Sequence, residues 1–428
     1  MLNALQNVTD KFYYASYTAL SEPFSVMGSV LVKFGPARVT FLPRMNSSLV
    51  SRGRRAALLV MSLAIAPRGD AQSMAARLQP FVDSHTLPGA VALVANRERI
   101  LRLEAVGFAD VASRKPMQVG NLFWIASMSK PITAAGLMML VDEGLVKLDD
   151  PVEHYLPEFK GQMVVVEKDA NHVLLRRPKH PITIRNLLSH TSGLSFKSGI
   201  EEPTLDLSPL ATRVRSYAMM PLEFEPDSKY QYANAGINTV GRIIEVVAGV
   251  PYEVFLDRQL FQPLGMTDTT FRPAPAQIAR LAKSYKGNKD KSDLDETPIH
   301  QLKYPLDDPA REPMPAGGLF STATDVAHFC QMILNDGVFA GRRYLSEAAV
   351  KQMTSRQTAE STGHSYGLGF QTNGVTFGHA GAYSTNMSID SKRGSITVFM
   401  VQNAGWRTNE GKKIHPAFHQ AAIEIFGK

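Results

Sequence analysis

The chain is expected to fold as an α+β protein: an antiparallel sheet flanked by helices, with an inserted, mostly helical subdomain. Strand-type runs cluster near residues 90–104 and again at 375–401. Between them, over about 148–319, helical periodicity alternates with long polar connections. Strands that meet from both ends of a chain around a helical insertion close most simply into one sheet.

Taken in order, Ser73 to Ser84 suggests a first helix, broken by Pro88-Gly89. Ala90-Val91-Ala92-Leu93-Val94 and Ile100-Leu101-Arg102-Leu103-Glu104 read as strands of a hairpin, joined by the polar turn Asn96-Arg97-Glu98-Arg99. Ile132, Ala135, Leu137, Met138, Leu140 and Val141 continue a helix-compatible pattern that stops at Gly144. Pro131 is tolerated only in a first turn, which places that helix start close to Ser127. A short helix capped at Thr183 runs to Ser189, with Gly193 suited to a left-handed C-cap. A longer one follows Asn234, with Ile237, Val240, Ile244 and Val247 on one face and Gly249 at its end. Lys283 to Asp308 is charged and uneven, as in an exposed loop. Thr322 and Asp325 suggest a capping box for a helix to Asn335. Strands are expected around Thr376, Ser388 and Val398, the last two joined at Lys392-Arg393-Gly394, and a final helix over about 416–426.

Three short stretches carry chemistry. Ser127 and Lys130 form S-x-x-K at a helix start, where positions three apart share a face. A neighbouring amine of lowered pKa helps remove the serine proton, and backbone N–H groups at the helix start favour a developing oxyanion. Taken alone, this pair also fits a polar helix start with a solvated lysine. Tyr232 and Asn234 form Y-x-N ahead of the long helix. A tyrosine near a lysine can shuttle protons, because a nearby cation favours the phenolate. His379-Ala380-Gly381-Ala382 lies on an expected strand. Gly381 there permits close approach of backbone to a ligand, and the Ala382 N–H is a second oxyanion donor beside that of Ser127.

Composition sets the frame. With 44% hydrophobic and 20% charged residues the chain reads as soluble and globular, with room for a large core. Residues 1–72 hold eight Lys/Arg and three Asp/Glu, leaving 38 against 36 in the remainder. The net charge of +7 is therefore mostly N-terminal and makes no case for nucleic acid. Residues 45–71 read as a secretory signal: Arg52, Arg54 and Arg55, an apolar run from Ala56 to Ala66, then Gly69-Asp70-Ala71 as cleavage site. A mature domain of 72–428 and a periplasmic or secreted location follow, with an uncleaved membrane anchor as the alternative. Residues 1–44 do not fit a signal and read as a non-native or disordered extension ahead of Met45. Cys330 is the only cysteine, so no intrachain disulfide exists; it reads as a buried small apolar residue.

S-x-x-K, then Y-x-N, then a basic residue-x-G is an order that resembles the serine β-lactamase and penicillin-binding superfamily over roughly 73–428. The likeness is strongest to class C β-lactamases, D-alanyl peptidases with His in the third motif, and family VIII carboxylesterases. Pro88-Gly89-Ala90, the run Ile184 to Leu194 with its Ser189-His190-Thr191-Ser192-Gly193, Pro263-Leu264-Gly265-Met266 and Ala316-Gly317-Gly318-Leu319 support it. The resemblance implies a β-lactamase/transpeptidase-like fold and an acyl-enzyme on Ser127. It gives Lys130 and Tyr232 the general base and acid work, and has Asn234 orient the substrate. His379 and Gly381 would line the pocket, with the Ser127 and Ala382 N–H groups as oxyanion hole. No cofactor and no metal are implied. The third motif departs from the β-lactamase form, which has Lys, a hydroxyl residue and Gly. An esterase on small or short-chain esters is therefore expected, with a class C-like β-lactamase or a D-alanyl-D-alanine carboxypeptidase or D-amino peptidase as alternatives. A non-catalytic peptidoglycan or peptide binder is a further one.

Two rival motifs compete. Gly363-His364-Ser365-Tyr366-Gly367 matches the G-x-S-x-G nucleophile elbow, which requires a strand before it and a helix after it. His415 and His419 are four apart on the last helix, but H-E-x-x-H is absent and surface histidines are expected.

Overall fold

The computed structural model describes residues 73–406 and 408–426. The expected signal at 45–71 and the extension at 1–44 lie outside them. A seven-stranded antiparallel sheet runs, from one edge to the other, Gln371–Thr372, Thr376–Ala380, Asn386–Asp390, Ser395–Met400, Gly89–Asn96, Ile100–Asp110 and Lys115–Pro116. The strands Gly89–Asn96 and Ser395–Met400 meet at its centre, where Val91 pairs with Met400 and Leu93 with Val398.

Gly89–Asn96 is buried along almost its whole length because both sheet faces are covered. Ala90, Ala92 and Val94 pack with Phe399 and Val401 against the first helix, Met74–Asp83, and the last, Ile414–Phe426. Val91, Leu93 and Ala95 face the main core with Ile396, Val398 and Met400. The period of two along a strand makes this division. Ser73 caps the first helix through the Ala76 N–H, and Gly249 ends the Asn234–Ala248 helix in the left-handed region, both where the sequence puts the ends.

The Ser129–Asp142 helix lies in the main core with ten consecutive buried residues, Ser129 to Met138. It is apolar nearly all round, as a helix with no solvent face must be. Its buried polar members Ser129, Lys130 and Thr133 all find partners; Thr133 Oγ1 donates to the Pro315 carbonyl at 2.7 Å.

Several expectations need correction. The insertion is less helical than expected: it carries the hairpins Val164–Lys168 with Val173–Arg176 and Tyr285–Gly287 with Leu294–Glu296. The stretch 283–308 is not a plain exposed loop, since Ile299, Leu302 and Leu306 are buried in a small cluster with Trp124 and Tyr383. The left-handed C-cap of Ile184–Ser189 is His190, φ 59°, rather than Gly193. Gly193 instead lets the Phe224 carbonyl approach to 2.4 Å from where a Cβ would stand. Thr322 caps Ala323–Leu334, but the Asp325 carboxylate accepts from the Asp268 N–H and the Thr269 hydroxyl and so serves a loop contact. Gly381 and Ala382 lie just past the strand Thr376–Ala380, which is second from the sheet edge. His415 and His419 are half-buried against Phe399 and Phe418 rather than on the surface. Among the described residues no cluster of metal-ligating side chains occurs, and no helix is long and apolar enough to cross a membrane.

Candidate active site

The chain enters the site through Phe123–Trp124, which pairs with Phe320–Ser321. The indole N–H of Trp124 donates to the Gly317 carbonyl at 2.7 Å, and the Ile125 N–H to the Leu319 carbonyl at 2.9 Å. The run Ala316 to Leu319 thus cradles the segment before Ser127. Ala126 is then forced to φ 46°, a left-handed conformation costing about 1–3 kcal/mol for a residue with a Cβ. One 3-10 turn, Ala126–Met128, leads into the Ser129–Asp142 helix, and Ser127 sits half-buried in that turn. Among the described residues the Ser127 and Ala382 N–H groups have no acceptor, as oxyanion donors require.

Lys130 is fully buried, with Nζ 3.1 Å from Ser127 Oγ. The amine donates to Asn234 Oδ1 at 2.9 Å and to the Ala316 carbonyl at 2.7 Å, and lies 4.6 Å from the centre of the Tyr232 ring. Burial holds its pKa well below the usual lysine range. Tyr232 is pushed the other way: burial raises the phenol well above its usual value, and its interaction with the Ser127 hydroxyl only partly opposes this. Removal from water thus favours the neutral phenol, beside an amine that is itself disfavoured as a cation. The buried Tyr232 hydroxyl makes no hydrogen bond of full geometry, and the Ser127 hydroxyl is its neighbour.

His379 is buried, with Nδ1 2.7 Å from the Ala380 carbonyl and Nε2 3.1 Å from the Tyr366 hydroxyl. A carbonyl oxygen requires a proton on Nδ1, which leaves Nε2 as an acceptor facing the Tyr366 hydroxyl, whose one proton also has the Gly369 carbonyl within reach at 3.2 Å. Burial pulls its pKa down to about 3. Gly381 is needed for a reason other than ligand approach: a Cβ there would stand 2.0 Å from Thr385 Oγ1 and 2.6 Å from the Ile125 carbonyl. This glycine lets the strand end lie against the backbone that leads into Ser127. The structure thus gathers Ser127, Lys130, Tyr232, Asn234 and His379 about one centre.

A family model described as Beta-lactamase matches residues 74–421. The chain belongs to the β-lactamase family. It is a family of serine hydrolases that includes esterases and carboxypeptidases and acts on ester, β-lactam or peptide substrates. Protein Rv1367c of Mycobacterium tuberculosis is 31% identical over 77% of this chain and 89% of its own length. Esterase EstB of Burkholderia gladioli is 31% identical over 70% of this chain and 80% of its own. Among solved structures, EstCE1, a hydrolase with promiscuous acyltransferase activity, superposes with a TM-score of 0.67 at 24% identity, covering 82% of this chain and 99% of that one.

Two site residues of this β-lactamase-family chain escape motif reading. His190 brackets Tyr232: its carbonyl accepts the Gln231 N–H at 2.9 Å and its Nδ1 accepts the Ala233 N–H at 3.2 Å, while its ring packs 4.6 Å from that of Tyr232. Burial holds the imidazole pKa well below its usual value, so the ring is neutral and able to accept. Its signal was present in Ser189-His190-Thr191-Ser192-Gly193, but nothing there names its partner. Tyr366 belongs to the G-x-S-x-G match, and its hydroxyl is the group that contacts His379. Ser365 itself lies in an irregular segment with no helix after it, so the nucleophile-elbow reading fails on geometry.

Proposed function

We propose that this protein hydrolyses small, uncharged esters through an acyl-enzyme on Ser127. The observation that carries the reading is the pairing of Lys130. A neutral amine has two N–H groups and one lone pair. Asn234 Oδ1 and the Ala316 carbonyl take the two N–H groups, so the lone pair is left for the Ser127 hydroxyl 3.1 Å away. Ser127 Oγ then attacks the ester carbonyl as its proton passes to Lys130 Nζ, and the oxyanion forms between the Ser127 and Ala382 N–H groups. Tyr232, a phenol with an uncommitted hydroxyl, gives its proton to the departing alkoxide and recovers one from Lys130. Water enters by the same groups in reverse and frees Ser127.

Substrate class follows from the third motif. A β-lactam carries a carboxylate, and hydrogen bonds from charged or hydroxyl donors to it are worth about 1.5–3 kcal/mol each. His379 is neutral with both ring nitrogens occupied inside the protein, and Ala380 offers no hydroxyl. A neutral ester loses nothing by this. Short-chain p-nitrophenyl esters are expected to turn over well and nitrocefin poorly, and His379→Lys with Ala380→Thr is expected to move the ratio toward nitrocefin. A wild-type nitrocefin rate rivalling the best ester would favour β-lactamase chemistry instead. Export to the periplasm or beyond accompanies this reading as a proposal, supported by the basic and apolar run from Arg52 to Ala66.

A further inference from the structure

One segment of the described chain carries apolar side chains that the fold leaves in water. The hairpin of Val164–Lys168 and Val173–Arg176 departs from the body at Val164, which is buried in the main core. Its root is held by the Val165 N–H on the Leu222 carbonyl at 2.9 Å and by the Leu222 N–H on the Met163 carbonyl at 2.8 Å. Beyond the root, every residue from 166 to 177 is exposed. Val166, Val173, Leu174 and Leu175 stand 52%, 47%, 57% and 38% exposed, and none belongs to a core cluster. A two-stranded ribbon is marginal in water by itself, so four exposed aliphatic side chains on one are not explained by folding.

The register sorts them by face. Directly opposed residues share a face, and faces alternate along each strand. Lys168 opposes Val173 and Val165 opposes Leu175, so these four share one face. Val164 opposes Arg176 on the other face, which also carries Glu167 and Leu174. The burial of Val164 and the ion pair of Arg176 with Glu225 turn that second face toward the body at the root. The face of Val173 and Leu175 therefore points away from the body, with Lys168 at its far end.

Charge decides what can cover this outward face. Residues 160–180 hold five Lys/Arg against two Asp/Glu, while the rest of 73–428 holds 33 against 34. The basic surplus of 73–428 thus sits in this one segment. Its ion pairs use Arg176, His172 and His180, so Lys168 and Arg177 are unpaired among the described residues. A second copy would set one basic ribbon against another, which repels. A nucleic acid would leave the aliphatic face in water. An anionic bilayer meets both requirements, since its headgroup boundary takes apolar side chains and its phosphates attract the basic ones. We propose that the ribbon is a membrane-surface contact that lies flat on a bilayer containing anionic lipid. Val173 and Leu175 enter the headgroup boundary, and Lys168 and Arg177 meet the lipid phosphates. The polar turn Asp169-Ala170-Asn171-His172 keeps the tip out of the acyl region. The contact is independent of the chemistry at Ser127, and so is its test.

That test is co-sedimentation of the full-length protein with vesicles of equal parts phosphatidylglycerol and phosphatidylcholine, compared with phosphatidylcholine alone. Residues 1–72 are common to every variant, so differences between variants report the ribbon. The contact predicts tighter binding to the anionic vesicles, weakened by added salt. Lys168→Gln with Arg177→Gln should weaken it about 20-fold. Val173→Ser with Leu175→Ser should weaken it about tenfold. Leu174→Ser, on the opposite face, should stay within about twofold of the wild type. All three variants should keep the wild-type melting midpoint, since the substituted side chains lie outside the core. Equal vesicle binding by the wild type and both double variants would overturn the contact. So would a wild-type dimer in analytical ultracentrifugation that is lost in the Val173→Ser, Leu175→Ser variant, which would assign the face to a second copy. A loss in Leu174→Ser as large as that of the outward pair would overturn the flat seating.

Discussion

Lys130 has its charge state set by burial and its lone pair aimed by two carbonyl partners, so its role depends on neighbours that no spacing rule supplies. Lys130→Ala and Tyr232→Phe are each expected to lower kcat about 10²–10⁴-fold. Steady-state kinetics of the double variant should show a loss far smaller than the product, since the two act as one unit; a fully multiplicative loss would separate them. His190 gives a second test. His190→Leu removes the acceptor of the Ala233 N–H and places a branched side chain at φ 59°, so kcat and thermal stability should both fall. Asn tolerates the left-handed region and offers an oxygen near the position of Nδ1, so His190→Asn should keep most of both. Equal damage by the two would mean that the imidazole ring, not its acceptor, is what matters. The sequence named Ser127, Lys130, Tyr232, Asn234 and His379 because their types and order are set by chemistry. It left out His190 and Tyr366, because what places them at the site is contact with residues distant in the chain.

The elements of the sheet were legible for a physical reason: the hairpin at 89–110 and the C-terminal strands carry β-branched runs between polar turns, and their registers follow from one buried face. The insertion was less legible. Its small hairpins are three to five residues per strand, and Val173, Leu174 and Leu175 are exposed, so no alternating pattern marks them. The run 283–308 misled because its charges are real while three isolated apolar residues do the packing. At this scale the sharpest prediction concerns Gly381. Gly381→Ala should push the strand end from the Ile125 carbonyl, displacing the Ala382 N–H as well as lowering stability. The loss should appear in kcat more than in KM, measured on the folded fraction, since an oxyanion donor acts in the transition state. An active Gly381→Ala enzyme with unchanged kcat would remove Ala382 from the proposed oxyanion hole.

For the whole molecule, histidines withdrawn from water, one buried and one half-buried, contribute to the acid response. His379 is depressed to about 3 and His415 to about 4, both chiefly by burial, against an ordinary value near 6.5. Below pH 6.5 the unfolded chain takes up protons that these residues refuse in the native state. Stability is therefore full above pH 6.5 and is lost as pH falls toward 3, at up to about 1.4 kcal/mol per pH unit for each group. Melting scans from pH 7 to 4.5 should show a falling midpoint, with a shallower fall in His415→Leu; a flat wild-type profile would contradict the neutral assignment. Export predicts a protein outside the cytoplasm with a new N-terminus near Gln72, and N-terminal sequencing that finds an intact start on cytoplasmic protein would refute it. The proposed hydrolysis requires covalent chemistry at Ser127. Fluorophosphonate-treated protein, digested and mapped by mass spectrometry, tests it most directly. A single adduct on the peptide carrying Ser127, absent from Ser127→Ala and unaffected by Ser365→Ala, is the predicted result; an adduct on Ser365, or none on an active enzyme, would contradict it.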